Sequence, residues 1–386
     1  MFKDKIRYKD IKSIILLSIA FPFSVYLKEK KIWLLSERPN EARDNAYVLY
    51  KYIQTQTKRK NVYYLIMKDS PDLNNVKEYG NIVYFNSFKH YVYYLASTIH
   101  ISAHVDLDSP NSRVTNFLET HGVLKNKRVF LQHGVTKDKI SFGYYNVCRA
   151  DLFVCAAKQE YEFCKKEFGF PNGNVQLLGF PRFDNLWRNT KKRQILLMPT
   201  WRSWLAKKDE NDFMCSEYYL KYNELLSNEK LITLLEKNNI KLLFLPHSDM
   251  KKFMHCFKSP SQNLEILHFE NVNIQDLIIE SAMLITDYSS VAFDFAYMNK
   301  PIIYYQFDYN EYRKNQHAEG YFSYEDNGFG PVFDNIDDIC NYLQTIVISF
   351  NNDKYENRVF SFFNIRDKNN CERVYKKILE LEKKHG

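Results

Sequence analysis

Glycine and proline are scarce in this chain, 11 of each among 386 residues, so no long low-complexity or disordered segment is expected. Cysteine is present without pairing. The seven residues, at 148, 155, 164, 215, 256, 340 and 371, form no CxxC pair and have no histidine at ligand spacing. Such an odd, dispersed set reads as reduced thiols in a cytosolic setting and argues against a structural zinc site, so no metal is expected. Neither GxxxxGK[ST] nor GxGxxG occurs, which makes P-loop and dinucleotide readings poor. A serine-centred nucleophile elbow and a carboxylate–histidine metal motif are missing as well. No helix-turn-helix, zinc-finger or RNP pattern accompanies the net charge of +8, so no nucleic-acid partner is expected.

Much of that charge is at the start of the chain. Lys3, Lys5, Arg7, Lys9 and Lys12 precede an apolar run from Ile14 to Leu27, and Lys28, Lys30 and Lys31 follow it. The run contains Pro22, is too short to span a hydrocarbon core, and lacks a small-residue cleavage site. Positive charge on both flanks favours a segment lying in an anionic membrane surface on the cytoplasmic side. The plain alternative is an N-terminal helix packed on the protein body.

From Lys31 onward strand-like and helix-like stretches alternate. Ile32–Leu35, Val62–Met67, Ile82–Phe85, Ile99–Ala103, Arg128–Leu131, Leu152–Cys155 and Val175–Leu178 read as strands, with helices such as Ala42–Ile53, Phe88–Ser97 and Lys158–Phe168 between them. Gly179–Gln194 is polar and turn-rich and reads as an inter-domain linker. The alternation restarts at Ile195–Met198 and continues through Lys241–Leu245, Glu265–Phe269, the helix Ile274–Glu280 and the strand Ile302–Tyr305. The pattern predicts an α/β protein of two doubly wound, mostly parallel domains facing a central cleft. The expected division is a membrane-associating segment at 1–31, domains at 32–190 and 191–370, and a C-terminal helix at 371–386.

The organising stretch is Ala282–Gln306. A buried strand, Met283–Thr286, is broken by Asp287-Tyr288-Ser289-Ser290, and a helix then begins at Val291. Ser289 or Ser290 is a good N-cap, and the free N–H groups of a helix start suit a phosphate. The bland reading is that these serines only cap a core helix.

His133, in Phe130-Leu131-Gln132-His133-Gly134, stands at a strand's carboxyl end, where it can take a proton from a hydroxyl, and Gly134 allows a ligand close. The alternative is a turn histidine bonded to backbone. His247, after Leu243-Phe244-Leu245-Pro246, repeats the arrangement in the second domain, and the pair is expected to face each other across the cleft. His121, in Thr120-His121-Gly122, follows a helix-like segment and reads as structural. Pro199-Thr200-Trp201-Arg202 also follows a strand. There Arg202 can pair bidentately with a phosphate and Thr200 can donate a hydroxyl, unless Arg202 is merely a surface loop residue.

With these pieces in hand the chain resembles the CDP-glycerol glycerophosphotransferase family. The likeness rests on Ala42-Arg43-Asp44-Asn45-Ala46, Gln132-His133-Gly134, Leu178-Gly179-Phe180-Pro181-Arg182, Pro199-Thr200-Trp201-Arg202, and Thr286-Asp287-Tyr288-Ser289-Ser290 with Phe293-Asp294-Phe295-Ala296. It extends to Glu319-Gly320-Tyr321 and Gly330-Pro331-Val332. The resemblance implies a GT-B architecture, His133 as base, His247 on the donor pyrophosphate, and Ser289 and Ser290, with Asp287 in the same block, on phosphate. It implies glycerol phosphate transfer from CDP-glycerol to a hydroxyl of a membrane-linked glycan or polyol-phosphate acceptor, releasing CMP, with no cofactor beyond the donor, at the cytoplasmic face of the plasma membrane. A CDP-ribitol donor, a nucleotide-sugar glycosyltransferase, and a non-catalytic nucleotide- or polyanion-binding protein remain the alternatives. The chain departs from the family's pattern at Val135-Thr136, where Thr-Pro is common, and at Ser248, where proline is common.

Overall fold

The computed structural model describes residues 6–188 and 190–383. Lys3 and Lys5 of the basic flank and Lys384 of the C-terminal helix lie outside the described residues. The chain forms two compact units: Met1–Val135 with Ser141–Asn185 and Asp367–Gly386, and Thr136–Ile140 with Leu186–Arg366.

The first unit carries a parallel sheet of seven strands: β1 (Trp33–Ser36), β2 (Val62–Ile66), β3 (Ile82–Tyr84), β4 (Ile99–Ser102), β5 (Lys127–Phe130), β6 (Leu152–Cys155) and β7 (Val175–Leu177). Their order is β3-β2-β1-β4-β5-β6-β7. The second unit has six parallel strands: β8 (Lys192–Leu197), β9 (Lys241–Phe244), β10 (Leu264–Ile266), β11 (Ser281–Thr286), β12 (Ile302–Tyr305) and β13 (Val332–Phe333), in the order β10-β9-β8-β11-β12-β13. Strands such as β6 and β11 are buried at every residue, as helix cover on both faces of a parallel sheet requires.

In each sheet the winding reverses once, between β1 and β4 and between β8 and β11. Chain leaving two neighbouring strands there turns to opposite faces, which opens a crevice beyond their carboxyl ends. The residues after β1, β4, β8 and β11 are therefore the ones the topology offers to a ligand.

Several boundaries differ from expectation. The units divide at Asn185 and Leu186 rather than at 190, and Thr136–Ile140 packs with the second unit. The expected linker contains a 3-10 helix, Pro181–Trp187, and the expected strand Glu265–Phe269 is reduced to β10 with a 3-10 turn at Phe269–Asn271.

The C-terminal helix, Asn370–Lys383, belongs to the first unit. Asn370 Nδ2 and the Cys371 backbone N–H donate to Asp184, and Glu382 accepts from Arg59 and the Trp33 indole. Gly179 is fixed by this docking. Its φ is +80°, and a Cβ there would lie 1.7 Å from Asn370 Oδ1.

The N-terminal apolar run is a helix, Tyr8–Leu27. One face packs on the helices Phe88–Ala96 and Ser112–Thr120, with Leu17 and Ala20 against Tyr91, Val92, Leu95 and Val114. Buried Asp10 pairs with Arg113 and accepts from Asn111. The opposite face leaves Ile11, Ile15, Ile19 and Phe23 exposed. Against the expectation of a run too short to span, the helix is long and apolar enough to cross a membrane by length and composition.

Candidate active site

In the first unit β5 ends at Phe130, and Gln132 then turns the chain into the left-handed region at φ 59°. A non-glycine residue held there costs about 1–2 kcal/mol, and the surroundings over-determine it. Gln132 Nε2 donates to the Val154 carbonyl (2.7 Å) and to Glu160 (3.0 Å), while its own carbonyl accepts from Asn45 Nδ2 (2.7 Å). The turn delivers His133 to the sheet's carboxyl edge.

The motifs singled out in the sequence meet behind it. Asn45 Oδ1 accepts from the Arg182 backbone N–H (3.0 Å), so one amide ties the Gln132 turn to the Phe180-Pro181-Arg182 segment. Arg182 Nη1 donates to the His133 carbonyl (3.0 Å) and to Asp44 (2.9 Å). Glu37, fully buried after β1, accepts from the backbone N–H groups of Arg43, Asp44 and Tyr47. Burial and then the Asp44 charge push its carboxyl up, with the three N–H groups opposing. Arg43 in turn grips Asp72 through Nε and Nη2, each at 2.6 Å.

His133 is exposed, and Gly134 beside it is half-buried. The protein packed around the ring nonetheless lowers its pKa from the usual histidine value. Asp44 opposes the shift, and the nearby Arg182 and Arg38 charges add to it. A neutral imidazole at neutral pH is the state a base requires. Its ring lies flat against that of His104, a residue that sequence reasoning did not single out. The centroids are 4.7 Å apart and the planes within 4° of parallel.

In the second unit β8 and β11 end side by side, and their loops are pinned by one buried cluster. Arg202 is wholly buried, with Nη1 2.8 Å from Asp287 and its Nε–Nη2 edge bidentate on Asp308 (2.7 and 3.0 Å). Burial works against its charge, but Asp287 and Asp308 more than offset that and raise its pKa well above the usual value. Asp287 also accepts from the Thr200 N–H (2.8 Å) and the Tyr222 hydroxyl (3.2 Å), and Asp308 accepts from the Tyr288 hydroxyl (3.0 Å).

The expected phosphate contact of Arg202 is thus corrected. It is neither a surface arginine nor a free clamp, because both carboxylates already hold its guanidinium away from solvent. Asp287 likewise spends its oxygens on the protein. Together they set the positions of Thr200, whose Oγ1 is buried without a partner, and of Tyr288 and Ser289.

Ser289 Oγ accepts from the Val291 N–H (3.3 Å), while Ser290 takes the N-cap position without a side-chain cap bond. Both serines are half-buried, and the helix they open is short, Val291–Tyr297. His247 follows β9. Its Nδ1 accepts from the Asp249 N–H (3.2 Å), and its ring lies 6.1 Å from that of Trp201, 19° from parallel. The same Nδ1 lies 3.4 Å from an Asp249 carboxylate oxygen.

Two further placements complete the picture. His121 bonds the Phe117 carbonyl through Nδ1 (2.8 Å) at a helix end, in line with a structural role. Among the described residues Glu210, His255 and Cys256 bring three potential ligand atoms within 4.8 Å, with Glu210 and His255 exposed and the His255 Nε2 3.0 Å from the Glu210 carboxylate.

Residues 17–380 match the family model for CDP-glycerol:poly(glycerophosphate) glycerophosphotransferase. The chain belongs to that family. It is 36% identical over 397 residues to the minor teichoic acid biosynthesis protein GgaB of Bacillus subtilis (strain 168), a match covering 98% of this chain and 43% of GgaB. It is 26% identical to a teichoic acid poly(glycerol phosphate) polymerase of Bacillus spizizenii, over 79% of this chain and 80% of that one.

The chain therefore spans less than half the length of GgaB. Among solved structures the wall teichoic acid polymerase TagF superposes with a TM-score of 0.67 over 97% of this chain and 96% of that one, at 16% identity. A UDP-GlcNAc 2-epimerase of Methanocaldococcus jannaschii follows at 0.56, with 10% identity. These likenesses fit the two parallel α/β sheets of a GT-B-like fold. Within the first unit the motif residues Asp44, Asn45 and Arg182 are tied into the protein while His133 is exposed; within the second, Arg202 and Asp287 are buried and paired while Ser289 and Ser290 are half-buried.

Proposed function

We propose that the protein transfers glycerol phosphate from CDP-glycerol to a hydroxyl group of a membrane-linked glycan or polyol-phosphate acceptor, in the synthesis of teichoic acid or a related surface polymer. The observation that carries this reading is His133. It is exposed at a strand end in a glycerophosphotransferase chain, and its pKa is lowered so that the ring is neutral at working pH.

The acceptor oxygen attacks the β-phosphorus of CDP-glycerol, and its proton passes to His133. The bond from that phosphorus to the bridging oxygen breaks, and CMP leaves with the electron pair. One P–O bond is exchanged for another, so no redox cofactor is required, and catalysis is mostly positioning and charge stabilisation. The second unit binds the donor. Its Ser289 and Ser290, the hydroxyl of Thr200 and the imidazole of His247 are the donor-binding groups, with His247 on the pyrophosphate. Gly134, beside His133, allows close approach of the donor. Arg202 and Asp287 act by holding the Thr200 and Tyr288-Ser289 loops rather than by touching phosphate.

The helix Tyr8–Leu27, with exposed isoleucines and Lys28, Lys30 and Lys31 after it, docks the enzyme on the anionic cytoplasmic face of the membrane. A second reading, CDP-ribitol as donor, is supported by relatives that include ribitol-phosphate polymerases, such as TarL of Staphylococcus aureus at 26% identity over 41% of this chain. The deciding experiment measures CMP release with CDP-glycerol and CDP-ribitol side by side, using membrane extract as acceptor. Release from neither donor overturns the transferase reading.

A further inference from the structure

The chain just past β4 places a second imidazole against the His133 ring. The ring of His104 covers one face, 4.7 Å away and 4° from parallel, while Phe142 stands at 6.2 Å and 33°. The neighbouring Ala103 backbone weakly favours the protonated His133 ring, against the larger effect of burial. The Ala103-His104 corner is itself fixed. The His104 backbone N–H donates to Ser102 Oγ (3.1 Å), and Ser102 Oγ accepts from Ser36 Oγ (3.1 Å) across the point where the sheet reverses.

A histidine ring turns broadly about χ2, and an exposed one has little to stop it. Here the stacked His104 ring fixes the plane of the imidazole, and with it the direction in which a ring nitrogen can accept a proton. His104 does not compete for that proton. Burial above all, then His133 and Arg38, push its pKa down to about 2, and its Nδ1 is buried with no hydrogen-bond partner. The charged groups facing the pair are Asp44, Arg182 and Arg38.

We propose that His104 is a positioning residue, which by ring stacking holds the His133 imidazole in the orientation from which it takes the acceptor's proton. This rests on reading His133 as the base, and the test separates the two claims. The His133 ring is titrated by histidine Cε1–H NMR in the wild type, His104→Ala and His104→Phe, with its resonance assigned by loss in His133→Gln. Removing the covering ring admits water to the His133 face, so His104→Ala is expected to raise the His133 pKa toward the ordinary value. Phenylalanine keeps the face covered and leaves the titration near that of the wild type.

In CMP release from CDP-glycerol with membrane extract, His104→Ala loses about ten- to a hundredfold in kcat with the KM for CDP-glycerol unchanged, and His104→Phe recovers most of that loss. An unmoved His133 titration in His104→Ala overturns the proposal. So does a folded His104→Phe that shifts the titration, or one as inactive as His104→Ala, which would assign the effect to a ring nitrogen. Thermal melts identify an unfolded alanine variant, and His104→Phe then carries the test alone. Undiminished turnover in His133→Gln would sink the base reading while the titration still reports on the stack.

Discussion

The Arg202 guanidinium meets the Asp308 carboxylate edge to edge, 2.7 Å at Nε and 3.0 Å at Nη2, with neither side chain open to solvent. Asp287, equally buried, takes the remaining edge at 2.8 Å. Removing one partner of such a cluster leaves an uncompensated buried charge, at about 3–5 kcal/mol. Arg202→Ala should therefore lower the unfolding free energy measured in urea by that much, whereas Tyr222→Phe, which removes one hydroxyl from Asp287, should cost about 1 kcal/mol. An Arg202→Ala protein as stable as the wild type would show that the cluster does not hold the unit together.

Asn45 connects two segments that both touch His133. Asn45→Ala removes a hydrogen bond from the Gln132 carbonyl and another from the Arg182 N–H, for about 1–3 kcal/mol. Turnover should fall more steeply than stability, because the strained Gln132 turn loses the bond that aims His133. Chemical denaturation and CMP release on the same variant check this, and equal or no effects on both would contradict it.

The first unit carries a pH dependence through His90. Its buried ring accepts from the Asn86 N–H (3.1 Å) and donates to the Asp108 carbonyl (2.9 Å), and burial lowers its pKa to about 4. A folded pKa below the unfolded one means that the unfolded chain takes the proton first. The contribution is thus complete above about pH 6.5 and is lost as pH falls to about 4, roughly 3 kcal/mol for His90 alone. Glu37, whose pKa is raised, acts in the opposite sense as pH rises, so the His90 term is read by difference. The stability gap between wild type and His90→Gln should narrow from pH 7 to pH 4.5; a constant gap would refute the assignment.

The exposed face of the helix Tyr8–Leu27 gives a membrane prediction independent of catalysis. Ile15 and Ile19 are each about half exposed, at 53% and 52%, so replacing both with glutamate should leave the fold intact. It should abolish sedimentation with phosphatidylglycerol vesicles. Unchanged sedimentation would place membrane binding elsewhere.

The strand alternation and the loop motifs were legible because a buried parallel strand reads as a short apolar run and a loop as polar punctuation. Arg202 misled for a physical reason. A strand followed by Pro-Thr-Trp-Arg looks the same whether the arginine awaits a phosphate or is already paired, and its partners Asp287 and Asp308 come from distant loops. His104 was missed although it stands at a strand end just as His133 does. That β4 lies beside β5, so that two such histidines stack, is a fact of strand order, which a single sequence does not reveal. The C-terminal helix was legible as a helix, but nothing in it named the first unit as the body on which it docks.

The central claim, that His133 is the base of glycerol phosphate transfer, is tested most directly by comparing wild type and His133→Gln for two quantities: CDP-glycerol binding, and CMP release with membrane extract. Binding should be unchanged while release falls about a thousandfold, within the range general-base removal gives. A His133→Gln enzyme that releases CMP at the wild-type rate would contradict it.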